Sequence, residues 1–292
     1  MISAIQEKYQ ADIYAYIGEL IEPYDREFIK FLEEPKHKNA ILILSTFGGS
    51  ADSAYRIARA IQEKYKCGNG DDQEGIFYVF VCRECKSAGT LLTIGSDVLL
   101  MDYDGELGPL DVQMRKPDEV GERTSGLAPS QAFGNLREEA LHHFRYIFEQ
   151  LRFHTEFSFS TKIAADIATN VTVGLLNPVY GQIDPLRVAE CDRSLRIAFE
   201  YGFRLDRNLH QDALPILVSY FPHHGFIIDR DEARNLFKKV QEPDTCLSVL
   251  SKLLAKSCRD HLTGDKKPFI DRFTLDEYEE ENHKGEEETH ES

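Results

Sequence analysis

Short apolar runs alternate with helical spacing over the first third of the chain. Ile13–Ile17, Ile41–Leu44, Ile76–Cys82 and Leu99–Met101 are continuous or nearly continuous in apolar residues and read as buried strands. Between them, Tyr24–Leu32 reads as a helix that stops before Pro35. Ala51–Tyr65 reads as a second, with Ala54, Ile57, Ala58 and Ile61 on one face. Leu91–Ile94 starts a short apolar helix that ends near Gly95. Residues 1–10 read as a polar lead-in and 67–74 as a surface loop without chemistry of its own.

Downstream the pattern is helical. From Ser130, a candidate cap, Phe133, Leu136, Ala140, Phe144, Ile147, Phe148 and Leu151 recur at helical spacing. Further helices are predicted over Thr161–Val173 (ending at Gly174), Pro185–Leu205, Ala213–Tyr220, Asp231–Phe237 and Cys246–Lys256, with a short strand at Gly225–Ile228. Strands thus dominate to about residue 113 and helices afterwards. The division expected is an α/β core at 1–130, a helical region completing it at 131–240, a helical extension at 241–275 and an acidic tail at 276–292.

The turns after the strands carry the candidate chemistry. Thr46-Phe47-Gly48-Gly49 ends one strand, and two glycines there let the backbone approach a ligand and aim N–H groups at it. Lys86-Ser87-Ala88-Gly89-Thr90 ends the next and opens a helix, which places Ser87 where unpaired N–H groups favour negative charge. A serine there is either a nucleophile or simply an N-cap. A third strand runs into Glu106-Leu107-Gly108-Pro109-Leu110-Asp111.

Together with Ala54–Arg59, Gln182–Pro185 and His224–Arg230, these pieces resemble, in order and over roughly residues 12–240, the serine dehydrogenase proteinase family. That family lies in the Clp protease/crotonase superfamily, with the signal peptide peptidases. The resemblance implies a spiral of ββα units with a C-terminal helical arm, a peptide or protein substrate, and a homo-oligomer built from trimers. It also implies Ser87 as nucleophile and an oxyanion hole from the N–H of Gly48 or Gly49 with that of Ala88, with Gly89 and Gly108 lining the substrate site. No Gly-x-Gly-x-x-Gly follows a strand, so no dinucleotide or other cofactor is expected.

The base does not follow the Clp pattern, because no histidine lies between Ser87 and Leu141. Signal-peptide-peptidase relatives use a lysine, which must be desolvated to act near neutral pH. Lys162, near an apolar helix face, is the first choice; Lys116 lies in a charged loop, and Lys86 should point away from its neighbour Ser87. His224 is the histidine carried with it, beside His142, His143 and His223, and Asp184 or Asp229 is available to orient one. The default role of Asp111 and Asp184 is local capping, Glu106 is expected to anchor its turn, and Arg56 and Arg59 are expected to pair with carboxylates. Residues 114–123 are placed to overhang the site as a lid.

Charge narrows the partners. A net charge of −16 opposes non-specific binding of nucleic acid. Nine acidic residues against one lysine in Asp276–Ser292 supply about half of it, in a solvating tail that is also a candidate docking segment for a partner protein. No apolar run nears the roughly 20 residues that span a bilayer, and the first residues lack a signal pattern, so a cytoplasmic protein is expected. Cys82-x-x-Cys85 lacks a second pair and reads as two buried thiols rather than a metal site. Two alternatives to a peptidase stay open: a catalytically silent scaffold, and a CoA-thioester enzyme that uses the same N–H pair for an enolate.

Overall fold

The apolar runs become neighbouring strands of one sheet. A computed structural model describes residues 1–32, 34–67, 74–110, 113–115, 123–125, 127–154, 159–263 and 266–273. The elements begin with α1 (Ile2–Tyr9), β1 (Ala11–Ile17), α2 (Tyr24–Lys30), β2 (Asn39–Thr46), α3 (Ala51–Lys64), β3 (Phe77–Cys85), α4 (Ala88–Ile94), β4 (Val98–Met101) and β5 (Glu106–Leu107). Next come β6 (Gln113–Arg115), β7 (Arg123–Ser125), α5 (Leu127–Phe153), α6 (Thr161–Tyr180) and α7 (Pro185–Leu205). The chain continues through α8 (Ala213–Ser219), α9 (Arg230–Leu236), β8 (Val240–Gln241), α10 (Thr245–Thr263) and β9 (Phe269–Phe273). It divides into two units, 1–111 with 197–292, and 112–196.

In the first unit the strand order is β8-β4-β3-β2-β1-β9, with β5 beside the end of β3. β1 to β4 and β8 run parallel, and only β9, paired with β1, is antiparallel in this sheet. Every residue of β1 and β2 is buried, which is why those strands are continuous rather than alternating in sequence. Alternate residues serve opposite faces. Ile13, Ala15, Ile17, Ile41 and Ile43 pack with Phe80, Ile5 of α1, and Leu247 and Leu250 of α10. On the other face Tyr14 and Tyr16 meet Phe28 of α2, at 5.8 and 6.0 Å between ring centres.

In the first unit three segments differ from the sequence expectation. Residues 2–9 form a helix rather than a lead-in, because Ile2, Ile5 and Tyr9 share a face and Ile5 is fully buried. The helix expected over Cys246–Lys256 is present as α10 but runs on to Thr263, and 269–273 add the unexpected edge strand β9; burial of Leu247 and Leu250 is worth about 2 kcal/mol each. At Gly225–Ile228 only Ile228 pairs, with Leu107, rather than a full strand.

The second unit holds the β6–β7 hairpin, α5, α6 and most of α7. α6 does not stop at Gly174 but runs to Tyr180, a lone glycine being tolerated within a helix. Ser160 caps it through Ile163 N, and Ala164, Ala168 and Thr172 form its buried stripe. Among the described residues no helix is long and apolar enough to cross a membrane. Asp111, Lys116, most of the segment expected to act as a lid, and the acidic tail lie outside the described residues.

Candidate functional site

The carboxyl ends of β2, β3 and β5 converge on Ser87. The register between β2 and β3 shifts after Leu44–Val81, so that Thr46 pairs with Cys85. Such an irregularity re-aims a strand end. Lys86 N then donates to Thr46 O at 2.9 Å, and the chain reverses at Ser87 with φ 51° and ψ −112°. That conformation mirrors the first central position of a type II turn and is one glycine dominates. Ser87 occupies the N-cap position of α4, yet its side chain makes no capping bond, and the residue is half-buried. Capping therefore does not explain the serine.

Gly48 lies directly against it. A Cβ there would fall 3.0 Å from Ser87 Cβ and 3.5 Å from Ser87 Oγ, and Gly48 has φ 117°. Gly49, with φ 141°, pairs with Leu20 of the segment after β1: Leu20 N donates to Gly48 O at 2.9 Å and Ser50 N to Leu20 O at 2.7 Å. The glycine loop is thus pinned from both sides.

The N–H groups sort themselves. Gly48 N–H donates to Thr46 Oγ1 at 2.9 Å, Gly89 N–H to Lys86 O at 2.8 Å, and Gly108 N–H to Thr90 Oγ1 at 3.2 Å. Gly49 and Ala88 N–H donate to no described residue. Of the five positions expected at the site, these two keep a donor to offer. Gly89 and Gly108 instead allow close packing: a Cβ on Gly89 would sit 2.5 Å from Thr46 Cγ2, and one on Gly108 2.7 Å from Lys86 Cδ.

Lys86 is buried, and its Nζ donates to Glu106 Oε2 at 2.9 Å and Leu107 O at 3.0 Å. It is turned to the β5 side, and Glu106 anchors its turn through this pair. Thr90 locks the same turn, its hydroxyl donating to Gly108 O at 2.7 Å. The fixing roles of Thr46 and Thr90 escaped the sequence reading, although each stands beside a glycine turn that it secures.

His224 sits partly buried, four residues before Ile228, whose N–H and C=O both bond Leu107 of β5. Lys162 is exposed on the first turn of α6, in the second unit. His143 lies 3.7 Å from Glu139 on α5. Asp229 and Asp184 bond backbone N–H groups, of Glu232 at 2.8 Å and Leu186 at 2.9 Å. Arg56 lies 2.9 Å from the buried Asp25, and Arg59 pairs with Glu63 at 2.9 Å.

Gly49→Ala tests the loop. Its Cβ would sit well inside contact of the Leu20 carbonyl, at a φ that alanine rarely adopts. Where such a loop stabilises an oxyanion, displacing one donor costs about 10²–10³-fold in turnover. The strain should cost about 1–3 kcal/mol in urea unfolding. Unchanged turnover in a folded variant removes Gly49 from the site.

No protein-family model matches the chain, and no curated protein matches it. Among solved structures, it is similar to a mutant of the 1510-N membrane-bound stomatin-specific protease at 18% identity, covering 55% of this chain and 70% of that one, with a TM-score of 0.32. A second mutant of that protease, in complex with a substrate peptide, matches at 17% identity over 83% of this chain and 97% of that one, with a TM-score of 0.31. Likenesses this distant leave any functional reading to the site itself.

Proposed function

We propose that the chain is a serine peptidase-like hydrolase that cleaves peptide bonds by acyl transfer through Ser87, on a Clp protease/crotonase-like spiral that assembles as a homo-oligomer. The observation that carries this reading is Ser87 held at φ 51° and ψ −112° between β3 and α4, with its hydroxyl against Gly48 and not spent on capping. Backbone in such a conformation costs about 1–3 kcal/mol and collects at functional sites. The sharp strand-to-helix bend is also the device by which a nucleophilic serine is presented.

In this reading the Ser87 hydroxyl attacks a peptide carbonyl and the negative oxygen accepts from Gly49 and Ala88 N–H. Each such donor is worth about 3 kcal/mol in the transition state. The base takes the serine proton and returns it to the leaving amine; water then releases the acyl group. A nucleophilic serine favours this over enolate chemistry, which needs the N–H pair alone. Oligomerisation is supported by apolar side chains left exposed on the second unit, among them Leu141, Phe153, Val173 and Leu175.

The base is assigned to Lys162 first and His224 second. An exposed lysine serves only if assembly or substrate covers it, whereas a histidine titrates near neutral pH without burial. Alanine at the true base is expected to lower turnover by about 10²–10⁴-fold. A histidine base loses activity below about pH 6.5; a lysine desolvated by assembly also acts near neutral pH, so the alanine variants and not the pH profile tell the two apart. Full hydrolysis by Lys162→Ala removes the lysine.

The reading is tested with a fluorophosphonate probe on the intact protein. Covalent labelling that maps to Ser87 supports the hydrolase. Absence of labelling supports the silent scaffold, and tight CoA binding with no labelling supports the thioester enzyme.

A further inference from the structure

Cys82 and Cys258 meet inside the core with their sulfurs 4.0 Å apart, although 176 positions separate them in sequence. Cys82 stands on β3, the strand that ends in the Ser87 turn, and Cys258 near the end of α10. Both are fully buried, in the cluster that also holds Ile43, Phe80, Leu247 and Leu250. The sequence pairs Cys82 with Cys85 by spacing, but the Cys85 sulfur lies against Gly89 and it is Cys258 that Cys82 meets. None of the six cysteines is in a disulfide.

The contact is chemically uneven. The hydrogen bond between the two thiols holds Cys258 below the ordinary thiol range, with Ser45 adding a second such bond. The same bond, with burial, pushes Cys82 up. The two thiols are therefore unequal, Cys258 held toward its thiolate and Cys82 toward its protonated form, and at a sulfur separation of 4.0 Å Cys82 is within reach to resolve an oxidised Cys258. Disulfide formation needs the sulfurs about 2.05 Å apart, so side-chain rotation has to close the remaining gap.

We propose that Cys82 and Cys258 are an oxidative modification site, in which a hydroperoxide converts the pair into an intramolecular disulfide that staples α10 to β3. The Cys258 thiolate attacks the outer peroxide oxygen. The O–O bond breaks, the departing alkoxide or hydroxide takes up a proton, and Cys258 becomes a sulfenic acid. The Cys82 sulfur then attacks the Cys258 sulfur. The S–S bond forms, the S–O bond breaks, and hydroxide leaves with the Cys82 proton as water. Two thiols and one hydroperoxide give one disulfide, one water and one alcohol (or a second water from hydrogen peroxide); two electrons pass from the sulfurs to the O–O bond. Neither residue has exposed surface, so the reaction requires a local opening around α10 wide enough for a water-sized peroxide and too narrow for a peptide disulfide such as oxidised glutathione. The cross-link spans 176 positions, and closing a loop of that size restricts the unfolded chain.

The experiment treats the folded full-length protein with hydrogen peroxide, alkylates the remaining thiols, and reads intact mass, peptide map and thermal midpoint. The expected result is a loss of about 2 Da, two hydrogens, in a peptide pair containing Cys82 and Cys258. The midpoint should rise and return to its starting value with dithiothreitol. Cys258→Ser should abolish the cross-link, and Cys246→Ser should leave it. The proposal is overturned by unchanged mass, by sulfinic or sulfonic acid at either cysteine without cross-linking, by a different pairing, or by a cross-link that forms only in denaturant. Because the map is made on the natural sequence, the result does not depend on a variant folding.

Discussion

Ser87→Ala is expected to lower hydrolysis on the order of 10⁶-fold, the size of effect seen when a nucleophilic serine is removed, and to erase fluorophosphonate labelling. Ser87→Gly should be equally inactive but more stable than the natural protein. The serine sits at φ 51° and ψ −112°, where a β-carbon is crowded. Releasing that strain returns about 1–3 kcal/mol, and glycine gives back about 0.5–1 kcal/mol through the freedom of the unfolded chain. The net expectation is a gain of about 1 kcal/mol by urea unfolding, from the strain less the entropy. The two readouts separate the roles of the residue. A serine kept for packing would show little loss of activity in either variant, while the gain with glycine reports the backbone strain alone. Turnover above about one per cent in Ser87→Ala would remove the serine from the mechanism, since genuine nucleophile losses are far larger.

The elements that carry the site were legible because each buries both faces or one clear stripe. Ile41–Leu44 and Ile76–Cys82 are apolar without alternation and became β2 and β3. The Ala54-Ile57-Ala58-Ile61 stripe became the buried face of α3. Gly48, Gly49 and Ser87 stand where the sequence predicts turns, and positive φ at all three is what such turns demand.

What was illegible depends on contacts made far along the chain. β9 is a run of five in which Asp271 and Arg272 interrupt the apolar residues, and it is a strand only because the β1 edge is there to receive it. Ile2, Ile5 and Tyr9 are widely spaced among polar residues, and their shared face carries little signal until the sheet and α10 cover it. The division of N–H groups is decided by Thr46 and Thr90, whose hydroxyls occupy Gly48 and Gly108 N–H. Sequence leaves five positions at the site; two threonines and one Lys86 carbonyl narrow the donors to Gly49 and Ala88.

Removing the Asp12 carboxylate is expected to cost about 3–5 kcal/mol, the range for breaking a buried ion pair. Asp12 is buried near the start of β1, at the end of that strand away from the glycine loop. Its Oδ2 accepts from Lys36 N at 2.9 Å, His37 N at 3.2 Å and Tyr65 OH at 2.7 Å. Oδ1 lies 3.0 Å from His37 Nδ1 and 3.4 Å from Arg272 Nη2. Tyr65 OH is also 2.6 Å from Tyr14 OH, and Arg272 lies over the Tyr14 ring at 5.6 Å. Burial alone pushes the Asp12 carboxyl up. The bonds from His37, Tyr65 and the two backbone N–H groups outweigh it and hold Asp12 below the ordinary carboxylate range. Burial pushes the Tyr14 phenol up to about 12 and the Tyr65 phenol higher, so both stay protonated.

A carboxyl depressed by folding contributes stability that is complete above its unfolded value, about 3.9. That contribution is lost as pH falls through the folded value. Asp12→Asn keeps the shape and removes the charge. Its deficit against the natural protein in urea should therefore be largest at neutral pH and shrink in acid. Equal deficits at neutral pH and at about pH 3 would mean that the carboxylate contributes shape and not charge. The site sits at the carboxyl end of β3 and this network near the amino end of β1, its parallel neighbour but one. The folded fraction of Asp12→Asn should accordingly react with fluorophosphonate at the natural rate, so that stability falls while the Ser87 turn keeps its reactivity.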